Sequence, residues 1–407
     1  MSGTQPGPLA GITVVALEQA VSGPLASRTL ADLGARVIKV ENPRGGDFAR
    51  DFDDVVDGMA AHFVWVNRGK ESLTLDLKDP RGLDVLDRLL ARADVLLSNL
   101  APGATERLGV APAQLAERHP HLVGVEISGY GPGGPLSAKR AYDLLVQAES
   151  GACSITGWEG APAKAGPPVA DTSSGLYAAI AVLAALYRRA CGGGGTTAHV
   201  AMFDVMAELM GYTLTYTRHS GVEQQPVGMG SPAIAPYGAY RTGDGQTVVL
   251  GTANDREWQR LARDLLGRAD LAVDPRFATA PGRVAHRDVL DAEVAAWCAR
   301  TDLAAIQTAA DAAGIGNSRY NTPAEVVAHP HLAARGRWRD IGTPNGPVPA
   351  LLPPVDAADW DARMDPVPGL GEHTDGVLHD LGLDDEEITA LRAAGVVGPL
   401  PEPITPG

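Results

Sequence analysis

Apolar residues along this chain recur in two rhythms, and the mixture of rhythms changes once. In the first half, short runs of consecutive apolar residues alternate with segments whose apolar positions return every three or four residues. The runs at 12–17, 35–41, 94–97, 122–127 and 197–202 predict buried strands, and helical spacing predicts helices over 25–33, 82–91, 142–151 and 174–189. This alternation implies a mostly parallel sheet covered by helices. Ligands in such folds bind beyond the carboxyl ends of the strands. From about residue 223 the texture changes: 236–240 and 247–251 flank the turn Gly243-Asp244-Gly245 and predict a hairpin. Helices are expected at 257–266, 287–299 and 303–313, and a Pro- and Gly-rich tail from Gly336 ends in a helix at 385–394. The expected architecture is two-domain α/β: a large Rossmann-like parallel-sheet domain over 1–222, completed by 335–407, and a smaller α+β domain over 223–334.

Composition narrows the function classes. With 45% hydrophobic and 20% charged residues among 407, the chain is ordinary globular material with ample capacity for a core. A net charge of −15 argues against a nucleic-acid partner. The three cysteines, Cys153, Cys191 and Cys298, are far apart and odd in number, so neither a disulfide framework nor a zinc pattern is expected, and a reduced cytoplasmic setting is. The N-terminus lacks the charged and apolar regions of a signal peptide. The longest apolar run, 176–187, falls short of the roughly 20 residues of a membrane span, so no membrane partner is expected. No Gly-x-Gly-x-x-Gly follows the first strand, and no Walker or Gly-x-Ser-x-Gly sequence occurs. Nicotinamide, P-loop and serine-hydrolase chemistry lose their main support. The run Gly192–Gly195 lies between a helix and a strand and reads as a connector.

Asp171 stands alone in the stretch Gly166-Pro167-Pro168-Val169-Ala170-Asp171-Thr172-Ser173-Ser174-Gly175, just ahead of a long helical run. The local pattern makes it an N-cap. A carboxylate among small neighbours, near the positive end of a helix, is equally a candidate for chemistry on a bound substrate.

The motifs Leu33-Gly34-Ala35-Arg36-Val37-Ile38-Lys39-Val40-Glu41, Asn67-Arg68-Gly69-Lys70-Glu71-Ser72-Leu73-Thr74-Leu75-Asp76, Ser98-Asn99-Leu100-Ala101-Pro102-Gly103, Ile127-Ser128-Gly129-Tyr130-Gly131, Tyr142-Asp143 and Ala170-Asp171 together resemble the family III CoA-transferases, also called the CaiB/BaiF family. Each is short; their order along the chain carries the resemblance. It implies a homodimer of interlocked subunits, acyl-CoA and a carboxylic acid as substrates, and no tightly bound cofactor or metal. By the same resemblance Asp171 is the nucleophile, which becomes a mixed anhydride and then an aspartyl-CoA thioester. Such a relay divides one difficult exchange into easier steps.

The resemblance also assigns a CoA site. Lys39, Lys70, Arg107 and Arg140 fall at nucleotide-side or phosphate positions. Asn99 and Leu100 match the adenine-side wall, Ala20 and Val21 the thiol end, and Tyr142 and Asp143 further active-site positions. The loop Gly228-Met229-Gly230-Ser231-Pro232 stands where formyl-CoA transferases have a polyglycine loop and would offer backbone donors to an oxyanion. The stretch 314–322 resembles members acting on C4–C5 dicarboxylates, and Arg319 is the candidate for the distal carboxylate, since a guanidinium pairs bidentately with it. Succinyl-CoA is the implied donor. Two rivals stay open: an α-methylacyl-CoA racemase-like enzyme, which would need a second acid/base histidine where Ala141-Tyr142-Asp143 stands, and a non-catalytic CoA-binding protein. His329 and His331, separated by Pro330, lack the company of a metal site.

Overall fold

A computed structural model describes residues 6–398; the ends of the expected large domain, 1–5 and 399–407, lie outside the described residues. Among the described residues two compact units emerge: 6–150 with 166–211 and 332–398, and 151–165 with 212–331. The segments 151–165 and 212–222, expected in the large domain, belong to the second unit, and 332–334, expected in the small domain, to the first.

In the first unit the apolar runs become β1 (Thr13–Leu17), β2 (Arg36–Glu41), β4 (Val95–Ser98) and β5 (Val123–Ser128), with β3 (Lys70–Thr74) at one edge. A small hairpin, β6 (Gly157–Trp158) and β7 (Ala161–Pro162), lies in the second unit, and β8 (Thr196–Ala201) completes the first unit's sheet. Its order is β3-β2-β1-β4-β5-β8, parallel throughout. The direction of winding reverses between β1 and β4, which makes the carboxyl end of β1 the topological switch point. β1 is almost wholly apolar and at most 2% exposed from Val14 to Leu17, as a central strand covered on both faces must be.

The strand β3 was not foreseen, because Lys70-Glu71-Ser72-Leu73-Thr74 reads as polar. The C-terminal segment makes it possible. Gly69 N–H donates to Pro366 O at 2.8 Å, Ser72 N–H to His373 Nδ1 at 3.3 Å, Thr74 N–H to Thr374 Oγ1 at 3.1 Å and Asp76 N–H to Val396 O at 2.7 Å. An edge that would otherwise be open to another chain is closed by the protein's own tail.

The expected helix over 174–189 is longer, Val169–Ala190, and packs against the helix Ser22–Asp32. Its 22 residues are apolar enough to cross a membrane by length and composition, which the shorter expected run was not. The buried residues of its first half, Ala170, Ser174, Gly175, Ala178 and Ala179, are small, so the two helices approach closely. A Cβ on Gly175 would lie 2.6 Å from the Ser22 carbonyl oxygen.

The second unit carries the antiparallel sheet β11-β10-β9, with β9 (Tyr237–Arg241), β10 (Thr247–Gly251) and β11 (Gly316–Arg319). Trp258, Leu261, Phe277, Leu290 and Ile306 form its core. In the first unit, β12 (Trp338–Ile341) and β13 (Val348–Leu351) pack Ile341 and Val348 against Phe63.

Candidate active site

Asp171 is not an N-cap. The helix begins earlier, with Pro168 at the cap position, so Asp171 sits at the third helical residue and its side chain makes no capping bond. The cap comes from elsewhere: Asp143 Oδ1 accepts the N–H groups of Ala170 at 2.9 Å and Asp171 at 3.3 Å, two donors that a helix start leaves unmatched. Asp143 opens its own helix, Asp143–Glu149, and its Oδ2 accepts from Gln147 Nε2 at 2.6 Å. The half-buried Asp171 carboxylate accepts no hydrogen bond and makes no ion pair among the described residues. Burial first, and the Asp143 charge second, push it up to about 7. Asp171 and Asp143 are thus brought together; Tyr142, directly before Asp143 in sequence, is 60% exposed.

A turn at the carboxyl end of β1 forms the neighbouring feature. Ala20 adopts φ 61°, which is strained for a residue with a Cβ, and Val21 is buried at the cap of the helix Ser22–Asp32. The side-chain amide of Asn99 is taken up by this turn. Its Oδ1 accepts Gln19 N–H at 2.8 Å, and its Nδ2 donates to Gln19 O at 2.9 Å and Ser22 Oγ at 3.1 Å.

Lys39 and Lys70 are likewise not placed for phosphate. Both side chains are 0% exposed. Lys39 Nζ pairs with Asp47 at 2.9 Å and Glu18 at 3.4 Å, while Lys70 Nζ pairs with Glu18 at 2.7 Å and donates to Pro24 O and Asn67 Oδ1. Burial pulls Lys39 down, but Glu18, Asp47 and Glu41 outweigh it and hold its ammonium above the ordinary range. Burial pulls Lys70 down to about 7, with Lys39 adding to the effect against Glu18. Glu41 shares the network: burial pushes it up, yet Arg50 and Lys39 hold it down at about 2. Buried charges persist only when paired in this way. Glu18 and Asp47 were missed because nothing local distinguishes them; the one hint is that Glu18 directly follows the apolar run Val14–Leu17.

Above this network, at the carboxyl ends of β1 and β2, lies a cavity of about 270 Å³. Leu17, Val40, Leu75, Leu77, Leu100 and Leu108 supply its apolar lining, and Lys78 contributes a cation. Of the residues expected to hold CoA, Leu100 alone lines it. Arg107 and Arg140 are exposed and have no side-chain partner among the described residues. Lys78 escaped sequence reading although it stands two residues beyond the quoted motif ending in Asp76.

The remaining candidates lie in the second unit. Gly228 has φ 58°, its N–H donates to Gly157 O at 2.7 Å, and Gly230 N–H donates to Val227 O at 3.0 Å. Both amides are therefore occupied, and neither is an available oxyanion donor in this conformation. The Trp158 indole covers Gly228 so closely that a Cβ there would lie 2.3 Å from it. Arg319 ends β11, 48% exposed, with Glu325 3.8 Å away.

Comparison with known proteins gives a consistent result. The family model for CoA-transferase family III matches residues 9–374. A succinate–glutarate CoA-transferase of Agrobacterium fabrum is 37% identical, covering 92% of this chain and 96% of its own length. A succinyl-CoA–D-citramalate CoA-transferase of Chloroflexus aurantiacus is 31% identical over 96% of this chain and 98% of its own. The crystal structure of a CaiB/BaiF family protein from Brucella suis matches with a TM-score of 0.80 and 35% identity, covering 93% of this chain and all of that one.

Proposed function

The chain belongs to CoA-transferase family III and is a CoA-transferase; from that premise we propose that it moves CoA reversibly from an acyl-CoA, succinyl-CoA being the favoured donor, to a C4–C5 dicarboxylate through an aspartyl-CoA thioester on Asp171. The observation that carries this reading is the state of Asp171: half-buried, unpartnered among the described residues and pushed up to about 7. A poorly solvated, more basic carboxylate is a better nucleophile than one in water.

The Asp171 carboxylate attacks the donor thioester carbonyl, giving a mixed anhydride and CoA thiolate. The thiolate attacks the aspartyl carbonyl, forming the aspartyl-CoA thioester and releasing the donor acid. The acceptor carboxylate then attacks that thioester, regenerating thiolate and a second anhydride. Attack of the thiolate on the acceptor's acyl carbon yields the new acyl-CoA and frees Asp171. Asp143 holds the helix turn that presents the nucleophile. The Leu-lined cavity is assigned to the nucleotide end of CoA, with Lys78 and Arg107 for its phosphates. Arg319 is assigned to the distal carboxylate of the diacid, and the 37% and 31% identical relatives, named for glutarate and D-citramalate, support that substrate class. The same reading has the enzyme work as a homodimer in the cytoplasm.

The test is incubation with succinyl-CoA and a panel of diacids, following product thioesters by mass spectrometry, with hydroxylamine to trap an activated aspartyl group. Transfer with a hydroxamate at Asp171 is expected. Exchange of the substrate α-proton without transfer would point to racemisation instead, and CoA binding with neither activity to a binding protein.

A further inference from the structure

We propose that Asn99 is a positioning residue for CoA transfer: together with Asp47 it holds the turn 18–22 in the shape that sets the thioester against Asp171. The proposal deepens the reading of Asp171 as the acyl carrier and rests on it.

The turn does not hold this shape unaided. Ala20 sits at φ 61°, a left-handed conformation that is strained for a residue with a Cβ. Two side chains from distant segments impose it. Asn99 brackets Gln19, accepting its N–H and donating to its carbonyl, and its second amide hydrogen reaches Ser22 Oγ at 3.1 Å. Asp47 Oδ1 accepts Ala20 N–H at 3.1 Å, while its Oδ2 is held by the buried Lys39 at 2.9 Å. Gly23 leaves room for the bracket, since a Cβ there would lie 2.9 Å from Asn99 Cγ. Both donors of the Asn99 amide are engaged, so its role is distinct from contact with adenine.

The turn also meets the nucleophile's helix. Ser22 opens the helix Ser22–Asp32, and its carbonyl abuts Gly175, one helical turn beyond Asp171 and on the same face. A displacement of the turn therefore alters the wall beside Asp171. Reactions that depend on a near-attack geometry lose rate steeply for small misplacements.

The experiment compares Asn99→Ala, Ala20→Gly and the double variant, using the acyl-CoA and acid pair that turns over fastest in the panel above. Asn99→Ala should lower kcat by about tenfold or more while changing the KM for acyl-CoA less than about threefold. Ala20→Gly in the same chain should recover most of that loss, because glycine adopts a positive φ without strain. A raised KM with unchanged kcat, an absence of any change, or a failure of rescue would each overturn the proposal. If Asn99→Ala does not fold, Asn99→Asp serves: it keeps the acceptor for Gln19 N–H but loses both donors, and should lower kcat relative to the unaltered protein by about threefold or more with the KM for acyl-CoA little changed. Hydroxylamine trapping separates the two claims. No adduct at Asp171 in the unaltered protein counts against the acyl carrier, whereas an adduct that forms more slowly only in the Asn99 variants supports the bracket.

Discussion

Asp143 Oδ1 accepts the backbone N–H of Asp171 at 3.3 Å, so one acid of the pair caps the helix turn on which the other is mounted. A carboxylate at that place suits the helix start. Its charge at the same time disfavours ionisation of Asp171, already resisted by burial. The division of labour leaves Asp171 without a structural duty.

Asp171→Asn should reduce transfer by about 10³-fold or more, since an amide cannot serve as the nucleophile of the proposed covalent relay. The same change should stabilise the fold at neutral to alkaline pH. A carboxyl raised from 3.8 to about 7 is protonated in the folded chain where the unfolded chain has ionised, so stability is lost as pH rises through that window. Thermal melts should show the variant gaining about 2 kcal/mol over the parent at pH 8 and almost nothing at pH 4.

Asp143→Asn removes the neighbouring charge while keeping an oxygen that can accept the Ala170 and Asp171 amides. The ionised form of Asp171 becomes easier to reach. The rising limb of the kcat/KM against pH profile, expected near pH 7, should move to lower pH without returning to 3.8, because burial is the larger cause. A profile that stays in place would show that Asp171 is not the group being titrated.

Lys39→Met should act on stability rather than on CoA affinity. It leaves Asp47 and Glu18 buried with a missing partner, at a cost of about 3–5 kcal/mol in chemical denaturation. The folded fraction should keep its KM for acyl-CoA; a selective rise in KM would return Lys39 to the phosphate role the sequence resemblance implied.

Gly228→Ala meets both a positive φ and the Trp158 indole. The indole is exposed and can swing aside, so the cost should be confined to the left-handed backbone, about 1–2 kcal/mol in a thermal melt. Trp158→Ala in the same chain should not recover it.

Arg319→Ala should raise the KM for a dicarboxylate acceptor by about tenfold or more and leave a monocarboxylate of the same length nearly unaffected. Arg319→Lys, which keeps the charge but not the fork, should fall between. Steady-state kinetics with paired acceptors decides it.

The alternation of apolar runs and helical spacing was enough to place β1, β2, β4, β5 and β8 within a residue or two, and the short neighbours of Asp171 marked it for chemistry. Local pattern encodes which face of an element is buried, and so it yields five of the six strands of the sheet, while their order and the switch point came from the structure. It does not encode which distant side chains meet. Lys39 and Lys70 looked like cations free for phosphate until Glu18 and Asp47 closed on them, and Asn99 looked like a ligand wall until Gln19 occupied its amide. Lys70-Glu71-Ser72-Leu73-Thr74 became a strand only because residues some three hundred positions later satisfy its edge. The sequence by itself therefore determined the layered fold, through short-range periodicity, and singled out Asp171 as the candidate nucleophile, through motif order. The tertiary structure alone decided which charges are neutralised inside and which remain for substrate, because desolvating a charge is tolerable only where the fold brings its partner from elsewhere in the chain.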